Sequence, residues 1–473
     1  MASTTGNSLA VGAPPADTSA VGAITPGQVA TTASAAEYPP LSHAYWALFL
    51  FALSLVVNFL DRGILNLLVE PIKRDLHLSD IQVSYLMGFA FVAFYVVLGL
   101  PIARLADSGN RRRIMAFGLA CWSAMTALCG IAQNFASFFI FRVGVGVGEA
   151  CTGPSTMSML SDFFPRHKLP RAIAFMQMGA VVGGGLALII GSGVIQLVSG
   201  VPNFTLPFIG VVHNWQLVFF IVGFPGLIVA ALMLTVVEPP RRGRMTKSDP
   251  KKGVPILDVA QFIGSHWKTY VPILLGLALR SAYGGGALAW AVVFYQRSFG
   301  WSAQRAGLAL GILAMAATPV GLLIGSRLAE WYHKRGFDDA NMRVVCWVAL
   351  VTIPLAVIWP LMPTPELALG FALFSALIGA MANPTEFAAI QAVTPNEMRG
   401  QVNALNLMVI NIIGTGLGPT FIALFTDLVF HNEGALRYSM SLSAAIVGPI
   451  AALTFWLGIK HYERSVAAAK AWD

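Results

Sequence analysis

Charge is what this sequence has least of. Asp, Glu, Lys and Arg make up 11% of its 473 residues, where a soluble chain carries about 25%. Water is therefore not the only solvent the chain is built for. Reactive motifs are also missing. There is no HExxH, no GxSxG, no nucleotide-cradling glycine loop and no His/Cys cluster at metal-ligand spacing. No enzyme class is indicated, and no cofactor or metal is expected. The four cysteines, Cys121, Cys129, Cys151 and Cys346, lie in apolar stretches without CxxC spacing. They read as small core residues, not disulfides or ligands. The eight histidines avoid the centres of the apolar stretches, so any proton carrier should be a carboxylate. Residues 1–43 contain no Lys or Arg, so a secretory signal is not expected. Their Ala, Thr, Ser, Gly and Pro content predicts a disordered tail.

What the sequence has in excess is apolar length: 56% of residues are hydrophobic. Runs of about twenty apolar residues cross a bilayer as helix, roughly 30 Å at 1.5 Å per residue. Twelve such spans are predicted, at 44–69, 81–106, 114–133, 137–162, 171–198, 215–237, 269–299, 303–333, 343–361, 366–393, 400–428 and 436–462. They are called spans 1 to 12 below. Pro154, Pro319 and Pro384 fall inside spans and predict kinks, since proline removes a backbone donor.

The net charge of +8 would suggest nucleic acid in a soluble protein. Here the basic residues occupy alternate connections. The even-numbered ones hold Arg104, Arg111, Arg112 and Arg113, then Arg166, Lys168 and Arg171, then Arg241 to Lys252, then Arg327 to Arg343, then Arg399. The odd-numbered ones hold only Lys73, Arg74, Arg297, Arg305 and Arg437. This asymmetry predicts both termini in the cytoplasm and no nucleic-acid partner. The polar stretch 238–267 separates two six-helix bundles, 44–237 and 268–462, with a cytoplasmic tail at 463–473. The halves echo each other. Arg104-Leu105-Ala106-Asp107 matches Arg327-Leu328-Ala329-Glu330, and Pro154 and Pro165 match Pro384 and Pro395 at one common offset. Such repeats mark one class of transporter architecture. A channel is the rival class, but repeated pore loops or charge rings are not seen.

The stretch Gly99-Leu100-Pro101-Ile102-Ala103-Arg104-Leu105-Ala106-Asp107, with Arg111-Arg112-Arg113 beyond, resembles the signature of the major facilitator superfamily. Gly109 stands where that signature usually has Arg. Within the superfamily the chain resembles the Spinster family of lysolipid and sphingolipid transporters, in a bacterial-type form. The residues carrying this are Asn58-Phe59-Leu60-Asp61-Arg62, then Arg142 to Ala150 with Gly at 144, 146 and 148, then Pro154, Ser161-Asp162-Phe163-Phe164-Pro165 and Pro395-Asn396-Glu397-Met398-Arg399-Gly400-Gln401. The resemblance implies an all-α fold of two pseudo-symmetric six-helix bundles in which spans 1 and 4 line a central cavity. It implies a monomer in the plasma (inner) membrane if bacterial. The driving force would be a proton gradient and the substrate a lipid-like amphiphile; a small organic anion or hydrophobic drug is the alternative.

Several residues stand out on physical grounds. Asp61 and Arg62 lie about 25 Å along span 1, where an ionised side chain costs at least a few kcal/mol unless paired or wet. Arg142 and Glu149 are two turns apart on span 4 and share a face. These four are the predicted proton-coupling group, with Asp61 and Glu149 exchanging Arg partners. Arg280, midway along span 7, either recognises an anionic headgroup or pairs with Asp61 or Glu149; both readings stay open. Tyr283, Trp290 and Asn58 complete the predicted substrate set. Asn383, Thr385, Glu386 and Gln391 on span 10 read as cavity-lining polar residues, and for Glu386, towards the cytoplasmic end, solvation is an equal reading. The resemblance assigns Asp107 to a cytoplasmic gate against span 11 near Gly400, where a helix N-terminus is positive. Arg104, Arg111, Arg112 and Arg399 join it there, although for the Arg111–Arg113 run ordinary solvation is the simpler reading.

Overall fold

A computed structural model describes residues 38–165, 167–207, 210–241 and 255–469. Most of the predicted tail, and most of the basic stretch after Arg241, lie outside the described residues. The rest is almost wholly helical, because in hydrocarbon each backbone N–H and C=O must be satisfied within its own segment.

All twelve predicted spans are helices. The first six are Leu41–Leu67, Asp80–Ser84 continuing through Tyr85–Phe89 and Ala90–Ser108, Arg111–Cys129, Phe135–Phe163, Leu169–Val198 and Asn214–Met233. The second six are Trp267–Phe299, Ala303–Lys334, Ala340–Leu361, Pro365–Ala392, Arg399–Phe430 and Leu436–Ala469. Among the described residues eleven helices are long and apolar enough to cross a membrane. The twelfth, span 3, opens on Arg111, Arg112 and Arg113.

Proline acts differently at its three predicted sites. Span 4 is interrupted between Glu149 and Thr152, just before Pro154. Span 10 is interrupted between Ala380 and Asn383, just before Pro384. The same break thus recurs at the same place in the two halves, and the repeat read from the prolines is a repeat of structure. Pro319 instead sits inside the uninterrupted helix Ala303–Lys334.

Three elements depart from the plain connections expected. A short helix, Val69–Leu76, follows span 1. Spans 5 and 6 are joined by a small hairpin pairing Phe204–Leu206 with Gly210–Val212. Gly210 has φ +93, a backbone region open to glycine and strained for other residues. The polar linker is also partly corrected: Ile256–Ser265 is a helix whose only fully buried residue is Val259.

Spans 2 and 11 each contain π-helical turns, Tyr85–Phe89 and Ile410–Gly416. The two meet across the halves, where a Cβ on Gly88 would collide with the carbonyls of Thr415 and Gly416. Spans 5 and 8 approach as closely, with Gly185 against the Gly311 backbone and Gly307 against Ser192. Small residues let transmembrane helices pack backbone to backbone in this way.

Candidate functional site

Span 1 delivers Asn58 one turn before the consecutive Asp61 and Arg62, and the latter two meet span 4. Glu149 is 1% exposed and pairs with Arg62, which donates through Nε at 3.0 Å and through a second, closer guanidinium nitrogen. The same guanidinium lies 4.1 Å over the Phe91 ring centroid. Arg62 keeps 30% of its side chain exposed, so this pair stands at the edge of the core and not within it.

Asp61 is different. It is fully buried, and both of its carboxyl oxygens lack a hydrogen-bond partner among the described residues. Its charged neighbours are Glu149 and Arg142, and the Thr126 hydroxyl and Trp122 indole N–H of span 3 lie close enough to interact with it without meeting hydrogen-bond geometry. Arg142 is equally buried. Its Nε donates to the Leu86 carbonyl at 3.2 Å, and one terminal nitrogen is left without a partner. Leu86 belongs to the π-helical turn of span 2. Such a turn breaks the i to i−4 ladder and is frequent at functional sites. The four predicted residues are therefore brought together, but with one pair made and two groups waiting. Trp122 and Thr126 were not foreseen. Their one trace in the sequence is the spacing of four residues that puts two donors on one face of span 3.

A second pair stands in the other half. Arg280 of span 7 is in direct ionic contact with Glu386 of span 10, and it donates to Asn383 Oδ1 at 3.1 Å and the Gly379 carbonyl at 3.3 Å. Of the two readings of Arg280, this corrects only the one that pairs it with Asp61 or Glu149. It also corrects the solvated reading of Glu386, which is 7% exposed. Spans 7 and 10 are the repeat counterparts of spans 1 and 4, so each half carries an Arg–Glu pair between corresponding helices. Position 379 is the counterpart of Glu149 at the proline offset, and it is glycine; the acid sits two turns further along. Tyr283 is buried beside this pair, with Arg280 and Glu386 as its charged neighbours. Asn58 is buried on span 1. Trp290 is fully buried, and its indole N–H donates to the Pro419 carbonyl at 2.9 Å. It holds spans 7 and 11 together and lines no open space in this conformation.

The predicted gate residues do other work here. Arg111 is 1% exposed, against the solvated reading. It is ion-paired with Asp162, donates to Glu238 Oε1, Ser158 Oγ and the Pro239 carbonyl at 2.8 Å each, and so ties spans 3 and 4 to the end of span 6. Arg112 donates to the Val236 carbonyl at 3.1 Å, capping that same end. Arg399 donates to the carbonyls of Gln391 and Thr394 within its own half. Arg104 is exposed. The side chain of Asp107 lies outside the described residues. A Cβ on Gly400 would meet open space.

The contacts that join the halves gather at the opposite end, among the odd-numbered connections. Asp80 is fully buried at the start of span 2. It accepts from Lys73 at 2.5 Å and from Arg297, at the end of span 7, at 2.7 and 2.9 Å. Arg297 also donates to Glu70 at 2.7 Å, and Lys73 pairs with Glu433 at 2.7 Å. The Ile81 N–H donates to Asp427 Oδ2 at 2.9 Å, and Ser84 Oγ donates to Thr420 Oγ1 at 3.0 Å. Sequence reasoning treated these cations as a topology signal only. The clue was local: Glu70, Asp75 and Asp80 sit within a few residues of Lys73 and Arg74.

Comparison with known proteins agrees with this architecture. Residues 51–419 match the Major Facilitator Superfamily. An MFS-type efflux pump of Mycolicibacterium smegmatis is 28% identical over 436 residues, covering 89% of this chain and 94% of that one. Protein spinster homolog 1 of Xenopus tropicalis is 30% identical over 205 residues, 43% of this chain and 36% of that protein. A crystal structure of a bacterial homolog to the human lysosomal transporter Spinster, inward-facing and occupied, superposes with a TM-score of 0.77 at 26% identity. It covers 90% of this chain and 99% of the other. The chain belongs to the Major Facilitator Superfamily as a Spinster-like, multi-pass membrane transporter.

Proposed function

We propose that this transporter is proton-coupled and works by alternating access, moving a lysophospholipid, sphingolipid or similar amphiphile. The observation that carries the coupling is Asp61: a fully buried carboxyl with no hydrogen-bond partner among the described residues, beside a made Arg62–Glu149 pair and an under-used Arg142. A proton on Asp61 removes a charge that costs at least a few kcal/mol at this depth. When the proton leaves, Arg142, with a terminal nitrogen left without a partner among the described residues, is a cation able to answer it. That movement pulls on the Leu86 carbonyl and hence on the turn of span 2 that packs against span 11.

The ion-pair cluster around Asp80 and Arg297 is then the gate closed on the outer face, and this conformation is inward-facing, with both termini cytoplasmic. The basic connections on the other face support that orientation. The Arg280–Glu386 pair offers one charge of each sign beside Tyr283. A zwitterionic headgroup can divide it, its phosphate taking Arg280 and its ammonium taking Glu386. The full-length similarity to an efflux pump favours a second reading, a hydrophobic drug or small organic anion as cargo.

The test is flux into proteoliposomes under an imposed pH gradient. Asp61→Asn and Glu149→Gln should abolish pH-driven uptake while the purified proteins still elute as folded, monodisperse species. Proton-driven flux at wild-type rates in both variants removes the mechanism. A screen of lysolipids against organic anions at two pH values decides the cargo.

A further inference from the structure

At the basic end of the N-terminal bundle a crevice of about 610 Å³ opens between the start of span 1, the end of span 4 and the start of span 5. Its floor is the buried trio Leu48, Phe164 and Ala172. Its walls are Phe49 and Phe175, each about half exposed. Lys168 and Arg171 stand at its rim. The size falls within the range of small-ligand sites, about 300–1,000 Å³.

Two features say what it takes. First, neither rim cation has an ion-pair or hydrogen-bond partner for its side chain among the described residues. The nearby acid in sequence, Asp162, is bound to Arg111. Two cations without a partner among the described residues, at one end of an apolar trough, match a molecule with an anionic head and a hydrocarbon body. Second, the surrounding aromatics belong to a membrane–water boundary. Tyr45 is 55% and Trp46 38% exposed, as amphipathic rings are at headgroup level. They are also held in place: Tyr45 packs edge-on to Phe164, and the Trp46 indole donates to Thr235 Oγ1 at 2.9 Å.

We propose that this crevice is a binding site for one anionic phospholipid of the leaflet on the basic face. The phosphate sits between Lys168 and Arg171, and an acyl chain runs along Phe49 and Phe175. None of these residues belongs to the coupling group or to either Arg–Glu pair. The inference does not depend on which cargo is carried.

The experiment is native mass spectrometry of the full chain, titrated with phosphatidylglycerol or with phosphatidylcholine of the same acyl chains. Phosphatidylglycerol should bind more tightly. The double substitution Lys168→Gln with Arg171→Gln should weaken it about 25-fold, some fivefold for each cation, and leave phosphatidylcholine unchanged. Arg113→Gln removes an exposed cation from the same face outside the crevice, and should change nothing. An unaltered phosphatidylglycerol affinity in the double variant would overturn the proposal. So would an equal loss in Arg113→Gln, which would mean diffuse attraction to a basic surface. Displacement by equimolar inorganic phosphate would point to a simple anion site, and displacement by an equimolar lysophospholipid to an entry point for cargo; either also overturns it.

Discussion

Asp80→Asn is the most informative single change to the ion-pair cluster proposed as the outer gate. The substitution keeps the volume and removes the charge. Asp80 accepts three charge-assisted hydrogen bonds, one from Lys73 in its own half and two from Arg297 in the other. Only the Arg297 bonds are lost when the halves part, so only they bias the equilibrium between closed and open. Bonds to charged groups contribute about 1.5–3 kcal/mol each, and unpairing a buried charge costs about 3–5 kcal/mol. Arg297 keeps Glu70, which softens the loss. A net shift of about 3 kcal/mol against the closed arrangement is expected, or ~150-fold in population. Spin labels at Arg74→Cys and Val429→Cys, both exposed and in opposite halves, read the separation in a Cys121→Ser background. The parent should give one short distance and Asp80→Asn a second, longer one. An unchanged distance distribution in Asp80→Asn would refute the assignment of this cluster as the gate.

Two further outcomes follow from the buried pairs. Arg280→Ala leaves Glu386 buried beside an empty site and should lower stability by about 3–5 kcal/mol. Adding Glu386→Gln should restore part of that loss in thermal unfolding, whereas additive losses would mean that the two side chains do not depend on each other. Arg111→Gln breaks contacts with Asp162, Glu238 and Pro239 at once. It should destabilise the N-terminal bundle by a similar amount yet leave the pH dependence of any remaining flux unchanged; a shifted pH profile would place Arg111 in the coupling path.

The legible parts of this protein were those governed by local rules. Span 1 was read to within three residues of Leu41–Leu67, because a hydrocarbon-crossing segment must be apolar and helical along its whole length. The breaks before Pro154 and Pro384 were visible because proline withholds a backbone donor, although Pro319 leaves its own helix unbroken. Asp61, Arg62, Arg142 and Glu149 were found because a charge within an apolar run is expensive, and they do converge. Their pairing was not visible. Glu149 has two arginines within reach in any fold that joins spans 1 and 4, and side-chain geometry alone selects Arg62.

Charges near the ends of spans were misread more often, because there composition does not distinguish solvation from burial. Arg111 stands beside Arg112 and Arg113 in one basic run. The carboxylates that bury it, Asp162 and Glu238, come from the ends of spans 4 and 6. Glu386 lay two turns from its repeat position, and its partner Arg280 is in another helix.

By itself, then, the sequence set, through local rules along the chain, twelve helical segments, most of their boundaries, the repeat of the halves, and which charges fall deep in apolar runs. These follow from hydrogen-bond satisfaction and transfer free energy, which act on each segment separately. Tertiary structure alone decided which arginine meets which carboxylate, that Asp61 has no hydrogen-bond partner among the described residues, and that Asp80, Lys73, Arg297 and Glu433 tie the halves together at one end. Those outcomes depend on a few ångströms between residues far apart in the chain, set by glycine contacts such as Gly88 against Thr415 and Gly185 against Gly311.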